Sequence, residues 1–132
     1  MLDKITLVVD IDGTLCPIKE KEQNYADLKP CAGMVDQLRA YREQGAKIVL
    51  STSRNMNSYD GNLGLINVHT AKVLLKWLDD WDIPYDEILY GKPWAGKRGI
   101  YVDDRTVRPD EFLRYDFEEL ERICARSREG LE

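Results

Sequence analysis

Asp10 and Asp12 stand two residues apart in Asp10-Ile11-Asp12-Gly13-Thr14, directly after the apolar run Ile5-Thr6-Leu7-Val8-Val9. Carboxylates so placed at a strand end can divide labour, one attacking an electrophilic centre while the other moves a proton. Comparable positions recur along the chain. Ser51, Thr52 and Arg54 follow the short apolar run 46–50, Lys92 follows Glu87–Tyr90, and Asp103 with Asp104 follows the run 99–102. If these runs are strands of one parallel sheet, their carboxyl ends bring all of these groups to one rim, where such sheets bind ligands. Several carboxylates at one rim repel each other unless a cation lies between them, and their hard oxygens suit Mg²⁺. The Thr52 hydroxyl, the Lys92 ammonium and main-chain N–H groups could then hold the oxygens of a transferring phosphoryl group.

The elements that must position these groups alternate along the chain. Residues 5–9 form a β-branched apolar run of the kind buried on both faces of a sheet. Pro30 and Gly33 open a segment with Val35, Leu38 and Tyr41 at helical spacing, and Gly45 closes it. Residues 54–64 are polar and glycine-bearing, which predicts a loop. Ala71, Leu74, Leu75, Leu78 and Trp81 form an amphipathic stripe ended by Asp82 and Pro84. Residues 87–90 and 99–102 are the third and fourth strand candidates, and one last helix is predicted from about 109 to 128. Strand–helix alternation predicts a mainly parallel sheet with helices on both faces, a three-layer α/β/α fold.

Length and composition set bounds on this reading. The 132 residues suit one domain, and 43% apolar with 33% charged residues is an ordinary globular balance. No apolar run is long enough to span a bilayer, and the start runs straight into a strand, so the expectation is a cytoplasmic protein without a membrane partner. Cys16, Cys31 and Cys124 match neither a disulfide framework nor a zinc site and are expected as reduced thiols. The net charge of −5 argues against a nucleic-acid partner.

The motif Asp10-Ile11-Asp12-Gly13-Thr14-Leu15 resembles the first motif of the haloacid dehalogenase-like (HAD) hydrolases. Thr52, Lys92 in Gly91-Lys92-Pro93, and Asp103-Asp104 follow in that superfamily's order, so the likeness covers residues 5–110. A narrower likeness is to small bacterial proteins without a cap domain, described as capsular-polysaccharide-biosynthesis phosphatases. Thr52-Ser53-Arg54-Asn55-Met56, Tyr59-Asp60-Gly61-Asn62, Gly91-Lys92-Pro93-Trp94 and Tyr101-Val102-Asp103-Asp104-Arg105 carry it; Ser53 stands where Ala is commoner. The resemblance implies a phosphatase with Asp10 as nucleophile and metal ligand. It implies Asp12 as general acid and base, with its main-chain carbonyl on Mg²⁺. Thr52 would hold a phosphoryl oxygen, Lys92 would neutralise nucleophile and phosphate, and Asp103 or Asp104 would complete the metal site. Ser53, Arg54 and Asn55 are candidate substrate contacts, with a structural salt bridge an equal alternative for Arg54. The implied substrate is a small phosphorylated metabolite, a phosphosugar of surface-polysaccharide synthesis.

Other readings are weaker. Asp12-Gly13-Thr14 could be an ordinary turn, and a calcium loop would need Glu, not Lys21, at its twelfth position. Trp77 and Trp81 suit helix packing, Lys97 and Arg98 a solvated loop, and His69 a helix start. A signalling receiver would carry its acidic pair, lone aspartate, hydroxyl and lysine in a different order. Two alternatives remain: a phosphatase of nucleic-acid 3′ ends, and a non-catalytic regulatory subunit. Only about twenty residues separate Thr14 from the first helix and the loop 54–64 is shorter still, too little for a cap domain. The site is therefore expected to be open, screened at most by these loops or by a partner subunit such as a second copy of the chain.

Overall fold

The computed structural model describes residues 1–131. They form two compact units, Met1–Trp94 and a second from Ala95 onward. The first unit holds a three-stranded, all-parallel sheet in the order β1 (Thr6–Val9), β2 (Lys47–Thr52), β3 (Glu87–Tyr90). Val9 lies opposite Leu50 and Thr52 opposite Tyr90, so the three carboxyl ends fall at one rim.

The central strand is the apolar one. Ile48, Val49 and Leu50 are all buried, as a strand covered on both faces requires. β1 differs from expectation: it is an edge strand, with Val9 buried but Val8 67% exposed. Helix α1 (Ala32–Glu43) buries Met34, Val35, Leu38 and Tyr41, the spacing of one helical face. It stops where Gly45 adopts φ 103°, a left-handed conformation suited to glycine. A helical turn, α2 (Leu63–Leu65), capped by Asn62, runs through a π-helical segment, Ile66–Thr70, into α3 (Ala71–Asp80). There Leu74, Trp77 and Leu78 face inward, whereas Leu75 and Trp81 of the expected stripe are exposed.

The second unit contains α4 (Pro109–Arg114) and α5 (Phe117–Glu129). The single helix expected over 109–128 is therefore two. Asp116 breaks it, because its carboxylate accepts from Glu119 N (2.9 Å) and starts a new helix. The fourth strand expected at 99–102 does not form, and Ile100 and Val102 are exposed. A strand exists through its partner's ladder. The second unit offers none among its described residues, and Gly96 turns the preceding chain at φ 82°. No helix is long and apolar enough to cross a membrane.

One tertiary hydrogen bond bears on the rim. The Trp77 indole donates to the buried Leu28 carbonyl (2.6 Å), tying the β1–α1 connection to α3. Trp77→Phe leaves that carbonyl unpaired and should lower unfolding free energy by about 1–3 kcal/mol in urea titration. Leu38→Ala, which empties the centre of the α1 face, should cost about 2–5 kcal/mol by the same measurement.

Candidate active site

β1 delivers Asp10 at its carboxyl end, and the chain then folds back on itself. Thr14 N and Leu15 N donate to Ile11 O (3.0 and 2.8 Å), and Gly13 N donates to Cys16 O (2.8 Å). Gly13 makes this turn at φ 87°, where a side chain would be strained. Ile11, Leu15 and Cys16 are fully buried beneath the turn, so its polar face presents Asp10, Asp12 and Thr14 together. The Thr14 hydroxyl donates to Asp10 Oδ2 (3.0 Å), and Lys92 Nζ lies 3.4 Å from Asp10 Oδ1.

Lys92 reaches Asp10 because the end of β3 is tied to the end of β2: Lys92 N donates to Thr52 O (3.1 Å). Gly91 precedes it at φ 85°, and a Cβ there would press on the Leu63 side chain. Thr52 is buried, and its Oγ1 accepts from Arg54 N (3.0 Å), which leaves its own O–H to donate.

Arg54 is 4% exposed, and its guanidinium grips Asp12 at two points. Nε donates to Oδ2 (3.1 Å) and Nη2 to Oδ1 (2.8 Å). The Tyr25 ring covers the guanidinium, with 4.1 Å from its centroid to Cζ. Of the two expectations for Arg54, the structure places it in an ion pair with Asp12. Burial, then the Asp12 carboxylate, raises the Tyr25 hydroxyl above its usual range. Cys16 Sγ lies 3.8 Å from Asp12 Oδ1, and burial followed by the same charge pushes its thiol up to about 12. That thiol is no nucleophile.

Ser53 and Asn55 bond within and around the loop that follows β2. Asn55 adopts φ 62°, its Oδ1 accepts from the buried Thr70 hydroxyl (2.7 Å) and its Nδ2 donates to Ser58 (3.3 Å). Ser53 is only part-exposed, and its carbonyl accepts from Met56 N (3.0 Å). Asp103 and Asp104 belong to the second unit. Asp103 Oδ1 accepts from Arg105 N (2.9 Å). The Arg128 guanidinium donates to Asp104 (2.8 Å) and holds its carboxyl below the usual range.

Of the two carboxylates on this turn, Asp10 has its oxygens on the Thr14 hydroxyl and the part-exposed Lys92, whereas both oxygens of Asp12 are in the Arg54 fork. Hard oxygen donors fit a hard cation, for which Asp10 and the Asp12 main-chain carbonyl are the candidates. Among the described residues of this unit, no three ligating side chains form a preassembled cage. Tyr25 and the direction of Arg54 escaped the sequence reading. The only available signal for Tyr25 was an aromatic residue in an otherwise polar loop.

No family model matches the chain, and neither does any curated protein. Two solved structures are similar to it. One is a chain of the Pnkp1/Rnl/Hen1 complex, with 20% identity over 85% of this chain and 34% of that one, TM-score 0.51; this likeness is of fold alone. The other is the crystal structure of a structural-genomics target from Vibrio cholerae, TM-score 0.88. With 45% identity over 93% of this chain and 98% of that one, the chain belongs to the same family as this Vibrio cholerae protein.

Proposed function

We propose that this chain is a HAD-like, Mg²⁺-dependent phosphatase with a three-layer α/β/α architecture, cleaving phosphomonoesters through Asp10. The observation that carries the reading is the carboxylate of Asp10 held at a strand end between the Thr14 hydroxyl and the Lys92 ammonium, with Asp12 two residues on. A nucleophile needs to be oriented but not consumed by its neighbours. The 3.4 Å separation from Lys92 meets that need, because an incoming phosphoryl group can share the ammonium.

The chain's own residues divide the reaction in two. Asp10 attacks phosphorus and the bond to the leaving oxygen breaks, while Asp12 supplies the proton that oxygen needs. Water then attacks the aspartyl-phosphate, Asp12 takes its proton, and Asp10 is regenerated as phosphate leaves. Thr52 donates its O–H to a phosphoryl oxygen, and Lys92 balances charge throughout. Bound Mg²⁺, held by Asp10 and the Asp12 carbonyl, would supply charge neutralisation at the phosphoryl oxygens.

The substrate class is a phosphosugar or related metabolite of surface-polysaccharide synthesis. A phosphatase of nucleic-acid ends is the competing assignment, and the net charge of −5 weighs against it. Phosphate release from an aryl phosphate, sugar phosphates and nucleotides tests the reading. Asp10→Asn should lower kcat by at least about a thousand-fold, and a chelator should abolish turnover until Mg²⁺ is restored. Turnover that survives Asp10→Asn would remove Asp10 as the nucleophile.

A further inference from the structure

Arg54 is buried, and its guanidinium bonds one carboxylate, with Nη2 also 3.9 Å from Cys16 Sγ. Two of its nitrogens bond the two oxygens of Asp12, and the third, Nη1, is buried with no hydrogen-bond partner among the described residues. Tyr25 closes the guanidinium from the side of the β1–α1 connection. The connection is itself anchored: Leu28 is buried under the Trp77 indole, and Cys31 N donates to Leu15 O (2.7 Å). A buried cation whose one carboxylate is Asp12 cannot release it without stranding its own charge. The fork therefore fixes where the Asp12 carboxylate points.

From this we infer that Arg54 is a positioning residue for the proton transfers of Asp12, with Tyr25 as its cover; the inference rests on the phosphatase reading above. A carboxylate offers about four lone-pair sites; the fork occupies one on each oxygen and the Cys16 thiol a second on Oδ1, which leaves the outer site of Oδ2. Asp12 can carry a proton on that site and pass it on without leaving the fork. The fork ties Asp12 to Arg54, two residues beyond the end of β2, whereas Asp10 is bonded to Thr14 and Lys92, so the two carboxylates have separate partners. Lysine cannot reproduce a two-point grip on a carboxylate, which makes the identity of residue 54 part of the mechanism.

The test exploits the leaving group. A nitrophenolate departs with little help, whereas a sugar alkoxide must be protonated as it leaves. Steady-state kinetics of wild type, Arg54→Met, Arg54→Lys, Asp12→Asn and the double variant Arg54→Met/Asp12→Asn on nitrophenyl phosphate and on a sugar phosphate separates the roles. Arg54→Met should lower kcat/KM, which reports the step in which the leaving group departs and not the later attack of water, by about a hundred-fold on the sugar phosphate and by no more than about five-fold on the aryl ester. Asp12→Asn should shift the ratio in the same direction, and the double variant should be no worse than Asp12→Asn alone. Arg54→Lys should recover only part of the loss. If Arg54→Met does not fold, Arg54→Lys and Tyr25→Leu carry the same comparison of the two substrates. Equal losses on both substrates in the folded variants, or a rise in KM with kcat unchanged, would overturn the positioning role and leave the phosphatase standing. A wild type without turnover on either substrate would remove the phosphatase reading, and this inference with it.

Discussion

The buried ion pair between Arg54 and Asp12 ties together the pieces of chain that form the rim. Taking a guanidinium and a carboxylate out of water costs several kcal/mol per ion, and only close, two-point geometry offsets it. That geometry demands that three pieces of chain agree in position. The turn after β1 must present Asp12, the end of β2 must aim Arg54 inward, and the β1–α1 connection must lay Tyr25 on top. Each piece is held by bonds of its own. The first folds on Gly13, the second on the bond from Arg54 N to Thr52 Oγ1, and the third on the bond from Trp77 to Leu28.

Two carboxylates and two cations thus meet at the rim, yet the two pairs differ in kind. Arg54 is enclosed and bonded through two nitrogens, whereas Lys92 and Asp10 are part-exposed and touch at 3.4 Å. Water screens the second pair far more than the first. The consequence is an asymmetry between residues two positions apart: Asp12 is oriented, and Asp10 is left able to exchange partners. The acid–base group and the nucleophile of the proposed phosphatase would need those opposite conditions. Local burial supplies both from a single turn.

Much of this was readable from residue types. The β-branched runs located β1, β2 and β3, and the rule that parallel sheets bind ligands at their carboxyl ends picked out Asp10, Asp12, Thr52, Arg54 and Lys92. The run at 99–102 misled, because strand propensity reports fitness for a ladder and not the presence of a partner. The helix break at Asp116 had a signal, Asp116 with Glu119 three residues on, that the apolar pattern outweighed. Tyr25 had no usable signal. It lies in a single turn of 3₁₀ helix, Tyr25–Asp27, in a loop without periodicity, and its role is set by a contact with a residue nearly thirty positions away. Arg54 was visible as a residue but its direction was not, since a guanidinium beside the Thr52 hydroxyl suits a substrate contact and a structural ion pair equally well.

On the phosphatase reading proposed above, burial of Arg54 also bears on how a site without a cap domain could keep proton transfer under control. In an open cleft, water reaches every carboxylate and competes for the lone pairs on which orientation depends. Here the shielding comes from beneath. Tyr25 and the buried Ile11, Leu15 and Cys16 exclude solvent from the Arg54 side of Asp12, while the side toward Asp10 stays open. A short connection pinned by one indole hydrogen bond therefore helps to orient Asp12, the proposed acid–base group, a task for which a larger structure could use a closing domain. The open side then carries no duty of orientation. Its loops are at liberty to differ in shape and charge without disturbing Asp12, which is the arrangement expected where one chemistry must serve substrates of different bulk.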